Sequence, residues 1–135
     1  MLSPSSQEAS IVVCETCRFS VERQADPLGR RGGALMADAL RMAALARGGT
    51  ILVESMPCLF ACARFCTVHL RAPGKMTYVL GDFAPGREAA DAILDFFEHY
   101  LDSEHGMVDY RLWPDGIKGH FITRSPPIGW IAGDG

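Results

Sequence analysis

Two short β-branched runs separated by one alanine-rich helical stretch constrain this chain more than any other feature. "SIVVC", ending at Cys14, and "TILVES", Thr50 to Ser55, each read as a buried strand. Between them, "ALMADALRMAALARGG" sets Leu35, Ala39, Met42 and Ala46 on one helical face and stops at Gly48-Gly49. Asp26-Pro27, Gly29 and Gly32-Gly33 mark a loop ahead of that helix. Strand, helix and strand of these lengths predict a βαβ unit, with a right-handed crossover and parallel strands.

Downstream, "TVHLRA" and "KMTYVL" flank Pro73-Gly74, which is a hairpin signal. The strongest helical pattern is "GREAADAILDFFEHYLDSEHG". Ala90, Ile93, Leu94, Phe97 and Leu101 form its apolar stripe, Asp91, Asp95, Glu98 and Asp102 lie opposite, and Gly106 ends it. Beyond Val108, Pro114, Pro126 and Pro127 and a lack of periodicity predict an extended, wrapping loop. The fold class is α/β, ordered β-α-β-β-α, with the first two strands parallel and a later antiparallel hairpin. Residues 1–10 read as a flexible leader, 11–127 as one domain and 128–135 as a tail. A chain of 135 residues suffices for one core and is short for two.

Hydrophobic residues at 48% and charged residues at 21% exclude wholesale disorder. A net charge of -3 gives no reason to expect nucleic acid or an anionic membrane as partner. The opening "MLSPSSQEAS" lacks the basic and apolar regions of a secretory signal, and no apolar run approaches the ~18 residues of a membrane helix. The expected location is the cytoplasm, where clustered cysteines bind metal or do redox chemistry more often than they form disulfides. Five thiols cannot all pair within one chain.

The element order brings four of those thiols together. Cys14 ends the first strand and Cys17 lies three residues on, while Cys58 lies three residues past the second strand and Cys62 four further. Neighbouring parallel strands share a carboxyl edge, which is where α/β sheets place their sites. Soft thiolates select zinc, copper(I) or iron–sulfur clusters over hard cations. Cys-x2-Cys suits zinc or a cluster. The Cys-x3-Cys-x3-Cys run from Cys58 to Cys66 is less like a zinc knuckle and suits a [2Fe–2S] rhomb, which needs two thiolates on each iron; spacing alone leaves zinc open. A thiol–disulfide oxidoreductase at "CETC" is a third reading. That chemistry wants a helix N-terminus beside the first cysteine, where this sequence reads as loop, and it leaves three thiols unused.

Arg18 and Arg64 each sit beside a cysteine, where a guanidinium either raises the potential of an anionic centre, serves docking, or is simply solvated. The acidic helix face reads as the wet side of an amphipathic helix, or as a dock for a basic reductase. His69 lies in an alternating strand and reads as a satisfied strand histidine; His99, His105 and His120 show no ligand spacing. Gly32-Gly33 lacks the Lys-Ser/Thr of a phosphate loop. No nucleophile–base constellation is present, so the expectation is a binding or electron-transfer protein and not an enzyme.

"IVVCETCR", "SMPCLFACARFCTVHL", "DAILDFFEHY" and "GMVDYRLWP…ITRSPP" resemble a bacterial family of small metal-binding proteins of uncharacterised function (DUF1636-like). That family is in turn similar to the thioredoxin-like [2Fe–2S] ferredoxins, and the resemblance spans residues 11–127. It implies a thioredoxin-like fold, one [2Fe–2S] cluster on Cys14, Cys17, Cys58 and Cys62, electron transfer to a redox partner protein, and a homodimer. For the family it also implies a link to cobalamin and metal handling, with zinc binding for structure or delivery as the alternative. Two departures stand out. Cys14 and Cys17 are closer than the first ligand pair of those ferredoxins, and Cys66 falls near a position they usually fill with Gly or Pro, making it a spare thiol or an alternate ligand.

Overall fold

The structure is a computed structural model that describes residues 8–20, 22–59, 64–131 and 133. Its elements follow in the order β1 (Ser10–Cys14), α1 (Gly32–Ala46), β2 (Leu52–Met56), β3 (Val68–Arg71), β4 (Thr77–Leu80), α2 (Arg87–Asp102) and β5 (Phe121–Ser125). Two single-turn 3-10 helices, Tyr110–Leu112 and Asp115–Ile117, precede β5. The strands form one sheet in the order β2-β1-β3-β4-β5. β1 and β2 are parallel, with Cys14 opposite Met56, and every other pairing is antiparallel. The βαβ unit and hairpin predicted from the sequence are both present.

Strand alternation separates the two sheet faces. Ile11, Val13, Val68, Leu70, Tyr78 and Leu80 face the helices and join one buried core with Met36, Leu40, Ile93, Phe96, Phe97 and Tyr100. His69 lies on the other face, between Val12 and Val79, and is half-buried. Burial, then the charge of Arg71, pushes its pKa below the usual imidazole value, so it sits there neutral.

Helix α2 buries Ala90, Ile93, Leu94 and Phe97 as its periodicity requires, and adds Ala92, Phe96 and Tyr100; Leu101 ends up exposed. Its acidic face is an interhelix clamp. Arg47, just past α1, contacts Asp91 at 3.3 Å, Asp95 at 2.8 Å and Glu98 at 3.4 Å. Among the described residues, no helix is long and apolar enough to cross a membrane.

Besides Leu101, the structure departs from the sequence reading in two larger ways. Helix α1 buries Met36, Ala37, Leu40, Ala43 and Ala44, and leaves Met42 66% exposed. An alanine-rich helix is apolar almost all round, so periodicity does not single out its inner face; its first turn is placed by the close approach of Gly33 to Cys14 at the end of β1 and of Gly32 to Arg18 in the turn beyond. The expected loop after Val108 instead contains β5, paired to β4. Phe121 anchors that strand by ring contacts with Tyr78 at 5.3 Å and Phe96 at 5.2 Å. Such tertiary contacts leave no local period to read.

Candidate metal centre

The site grows from the carboxyl edge of β1 and β2. Because Cys14 pairs with Met56, the turn after Cys14 and the chain after Met56 leave the sheet side by side. Glu15 N–H donates to Met56 O at 3.0 Å, and the Thr16 hydroxyl donates to Pro57 O. On the other flank, Cys14 N–H donates to Thr67 O at 3.1 Å. Arg18 bridges to Phe65 in parallel fashion, and the Cys17 sulfur lies 3.0 Å from the Thr67 hydroxyl. The "CETCR" turn is thus clasped between Pro57 and Thr67, the two ends of the cysteine-bearing stretch.

Two glycines let the helix join this clasp. A Cβ on Gly33 would run into the Cys14 carbonyl, and one on Gly32 into the Arg18 carbonyl. Backbone approach this close requires glycine. The Gly33 N–H then donates to Cys17 O at 3.2 Å, which seats the first turn of α1 against the cysteine turn. The sequence reading treated these glycines as loop punctuation only. Their adjacency at the start of a helix, following a Cys-x2-Cys turn, was the available signal.

Cys14, Cys17 and Cys58 line one cavity of about 180 Å³, together with Thr16, Arg18, Gln24, Arg31 and Arg64. Cys62 lies outside the described residues. Among the described residues, no three His, Cys, Asp or Glu side chains form a group that could hold a metal ion. The structure therefore brings three of the four expected thiols to one cavity without closing them around a common point.

The thiols differ electrostatically. Hydrogen bonding from Cys17 draws the Cys14 pKa down to about 5 against the opposing effect of burial. Cys17, as the donor of that pair and itself buried, is pushed well up. Cys66 is different again. It is fully buried, its backbone sits in the left-handed region at φ 47, and its thiol points to Arg18 O at 3.7 Å. Burial first, then the nearby charges of Cys14 and Asp82, push it up to about 12. In this structure Cys66 supports the turn and does not line the cavity.

The arginines also separate. Arg64 is ion-paired with Asp82, with Nε 2.7 Å from the carboxylate. This contact holds Asp82 below the usual carboxylate range. Asp82, at φ 65, also donates its N–H to Phe65 O at 2.7 Å, fixing the chain near the end of the cysteine-bearing stretch. Asp82 carried no sequence signal, because its partner lies 18 residues away across a turn.

A family model described as a protein of unknown function (DUF1636) matches residues 11–127. The chain belongs to this family. No curated protein matches it. Among solved structures, a thioredoxin-like [2Fe–2S] ferredoxin from Aquifex aeolicus is similar over 93% of this DUF1636 chain and 100% of its own, at 18% identity and a TM-score of 0.52. The likeness establishes a thioredoxin-like fold for this DUF1636 member.

Proposed function

We propose that this DUF1636 protein is a ferredoxin-like electron carrier, holding one [2Fe–2S] cluster through Cys14, Cys17, Cys58 and Cys62 and passing electrons to a redox partner protein. The observation that carries the proposal is the convergence of Cys14, Cys17 and Cys58 on one cavity at the shared carboxyl edge of parallel strands. The donor set fits in kind, since soft sulfurs and a low Cys14 pKa favour the thiolate form that such a centre needs. The fold-level likeness to a [2Fe–2S] ferredoxin adds support. When bound, the cluster would supply one-electron redox chemistry. The protein's own part is to keep Cys14 and Cys17 oriented through Thr67 and the α1 N-terminus, and to shield them from water.

Zinc is the alternative occupant of the same thiolates. A second reading, thiol–disulfide exchange, is favoured by the low Cys14 pKa beside a protonated Cys17.

Anaerobic purification followed by visible absorption and iron, sulfide and zinc analysis separates the three. Red-brown protein with iron and sulfide supports the proposal. Colourless protein carrying zinc supports the alternative, and metal-free protein with a reversible Cys14–Cys17 disulfide supports exchange. Alanine at Cys14, Cys17, Cys58 or Cys62 is expected to abolish or destabilise loading, whereas Cys66→Ala retains it. Iron loss in Cys66→Ala alone would overturn the ligand assignment.

A further inference from the structure

Three guanidinium groups line the cysteine cavity, and their hydrogen-bonding states differ. Arg31 gives Nε to Thr16 O at 3.0 Å and Nη1 to Gln24 Oε1 at 3.1 Å. Arg64 gives both Nε and Nη2 to Asp82. Among the described residues, Arg18 Nε is buried and has no hydrogen-bond partner. A buried N–H on a permanent cation, left without an acceptor, is costly. Its backbone is held in place, because the Arg18 carbonyl accepts from the Cys66 thiol and lies where a Cβ on Gly32 would have to go.

We infer that Arg18 is the cationic hydrogen-bond donor to an anionic metal–thiolate centre on the cavity cysteines, while Arg31 and Arg64 are architectural. The inference rests on the metal-binding reading above but not on which metal is bound, because the three cavity thiolates alone make the centre anionic whether it holds zinc or a [2Fe–2S] core. Arg18 meets the charge of that centre and stabilises its more negative state; Arg64 does so much less, its own charge being offset by Asp82. The pair read from sequence as equivalent is therefore divided into one residue facing the centre and one bracing the loop.

The division produces opposite signs in two measurements. Arg18→Met keeps the stem and the backbone contacts of residue 18 but removes the unpaired N–H. In metal-stripped full-length protein it should leave the denaturation midpoint unchanged or raise it. In loaded protein it should speed metal loss to a chelator by about tenfold or more, the usual scale for groups contacting metal ligands. An iron-loaded sample should also show a more negative midpoint potential. Arg64→Gln should instead lower the denaturation midpoint of stripped and loaded protein alike, and leave the potential near that of the parent.

Equal destabilisation of stripped and loaded protein by Arg18→Met would overturn the inference, as would equal potential shifts from the two variants. A parent protein that takes up neither iron nor zinc would overturn the metal-binding reading itself. That failure is visible before any variant is made.

Discussion

The two ends of the sheet are built in contrasting ways. At the β4–β5 end, rings meet edge to face: Tyr78 and Phe96 at 5.7 Å, Tyr78 and Phe121 at 5.3 Å, Phe96 and Phe121 at 5.2 Å. Polar tips there are satisfied; the Tyr78 hydroxyl donates to Gly106 O at 2.8 Å and Trp113 Nε1 to Val108 O at 3.0 Å. At the β1–β2 end, buried thiols line a cavity, a left-handed Cys66 props the turn behind it, and, among the described residues, one buried guanidinium nitrogen has no partner. Buried polar tips are paired at one end and left unmet at the other, and the unmet end is where the chemistry-bearing residues stand.

The largest expected effect comes from breaking the aromatic end. Phe96→Ala deletes a fully buried ring and should cost about 3–5 kcal/mol in denaturant unfolding. Metal bound per folded molecule should not change. If loading fell in step with stability, the two ends would not be separable.

Gly33→Ala tests the other end. In an exposed helix interior this change would gain about 1 kcal/mol. Here the new methyl meets the Cys14 carbonyl, so the sign should reverse, with a loss of about 1–3 kcal/mol and weakened metal retention. A neutral or stabilising result would show that the α1 N-terminus does not brace the cysteine turn.

The smallest effect lies between the two ends, at His69. Its pKa is lowered in the fold, so as pH falls below about 6.5 the unfolded chain takes up the proton first. Stability contributed by the neutral ring is complete above that value and declines as pH drops toward the folded pKa. Denaturation midpoints measured at pH 7.5 and 5.5 should differ more for the parent than for His69→Gln. Identical slopes would remove His69 from the account.

The sequence carried the frame of this contrast well. Ser10–Cys14 was read to the residue, and the strand at Thr50–Ser55 differs only in its ends from Leu52–Met56. β-Branched runs and glycine stops are local signals, and parallel pairing follows from the crossover. The convergence of Cys14, Cys17 and Cys58 was legible for the same reason. What could not be read was set by partners distant in sequence. Phe121 becomes a strand residue because of Tyr78 and Phe96. Arg64 differs from Arg18 because Asp82 is there to meet it. The seating of α1 depends on two glycines fitting over the carbonyls of Cys14 and Arg18, more than a dozen residues upstream.

The clasp of the "CETCR" turn between Pro57 and Thr67 has a consequence for the order of events during biogenesis. Its bonds require β1, β2 and β3 to be already assembled, because Glu15 reaches Met56 and Cys14 reaches Thr67 across strand boundaries. In small zinc-dependent modules the metal drives the chain to fold. Among the described residues, the apolar cluster packed between sheet and helices does not include Cys14, Cys17 or Cys58, although Cys14 and Cys17 are buried beside it. A cofactor on those thiols would therefore join a core already packed around other side chains, and its insertion is expected to follow strand pairing.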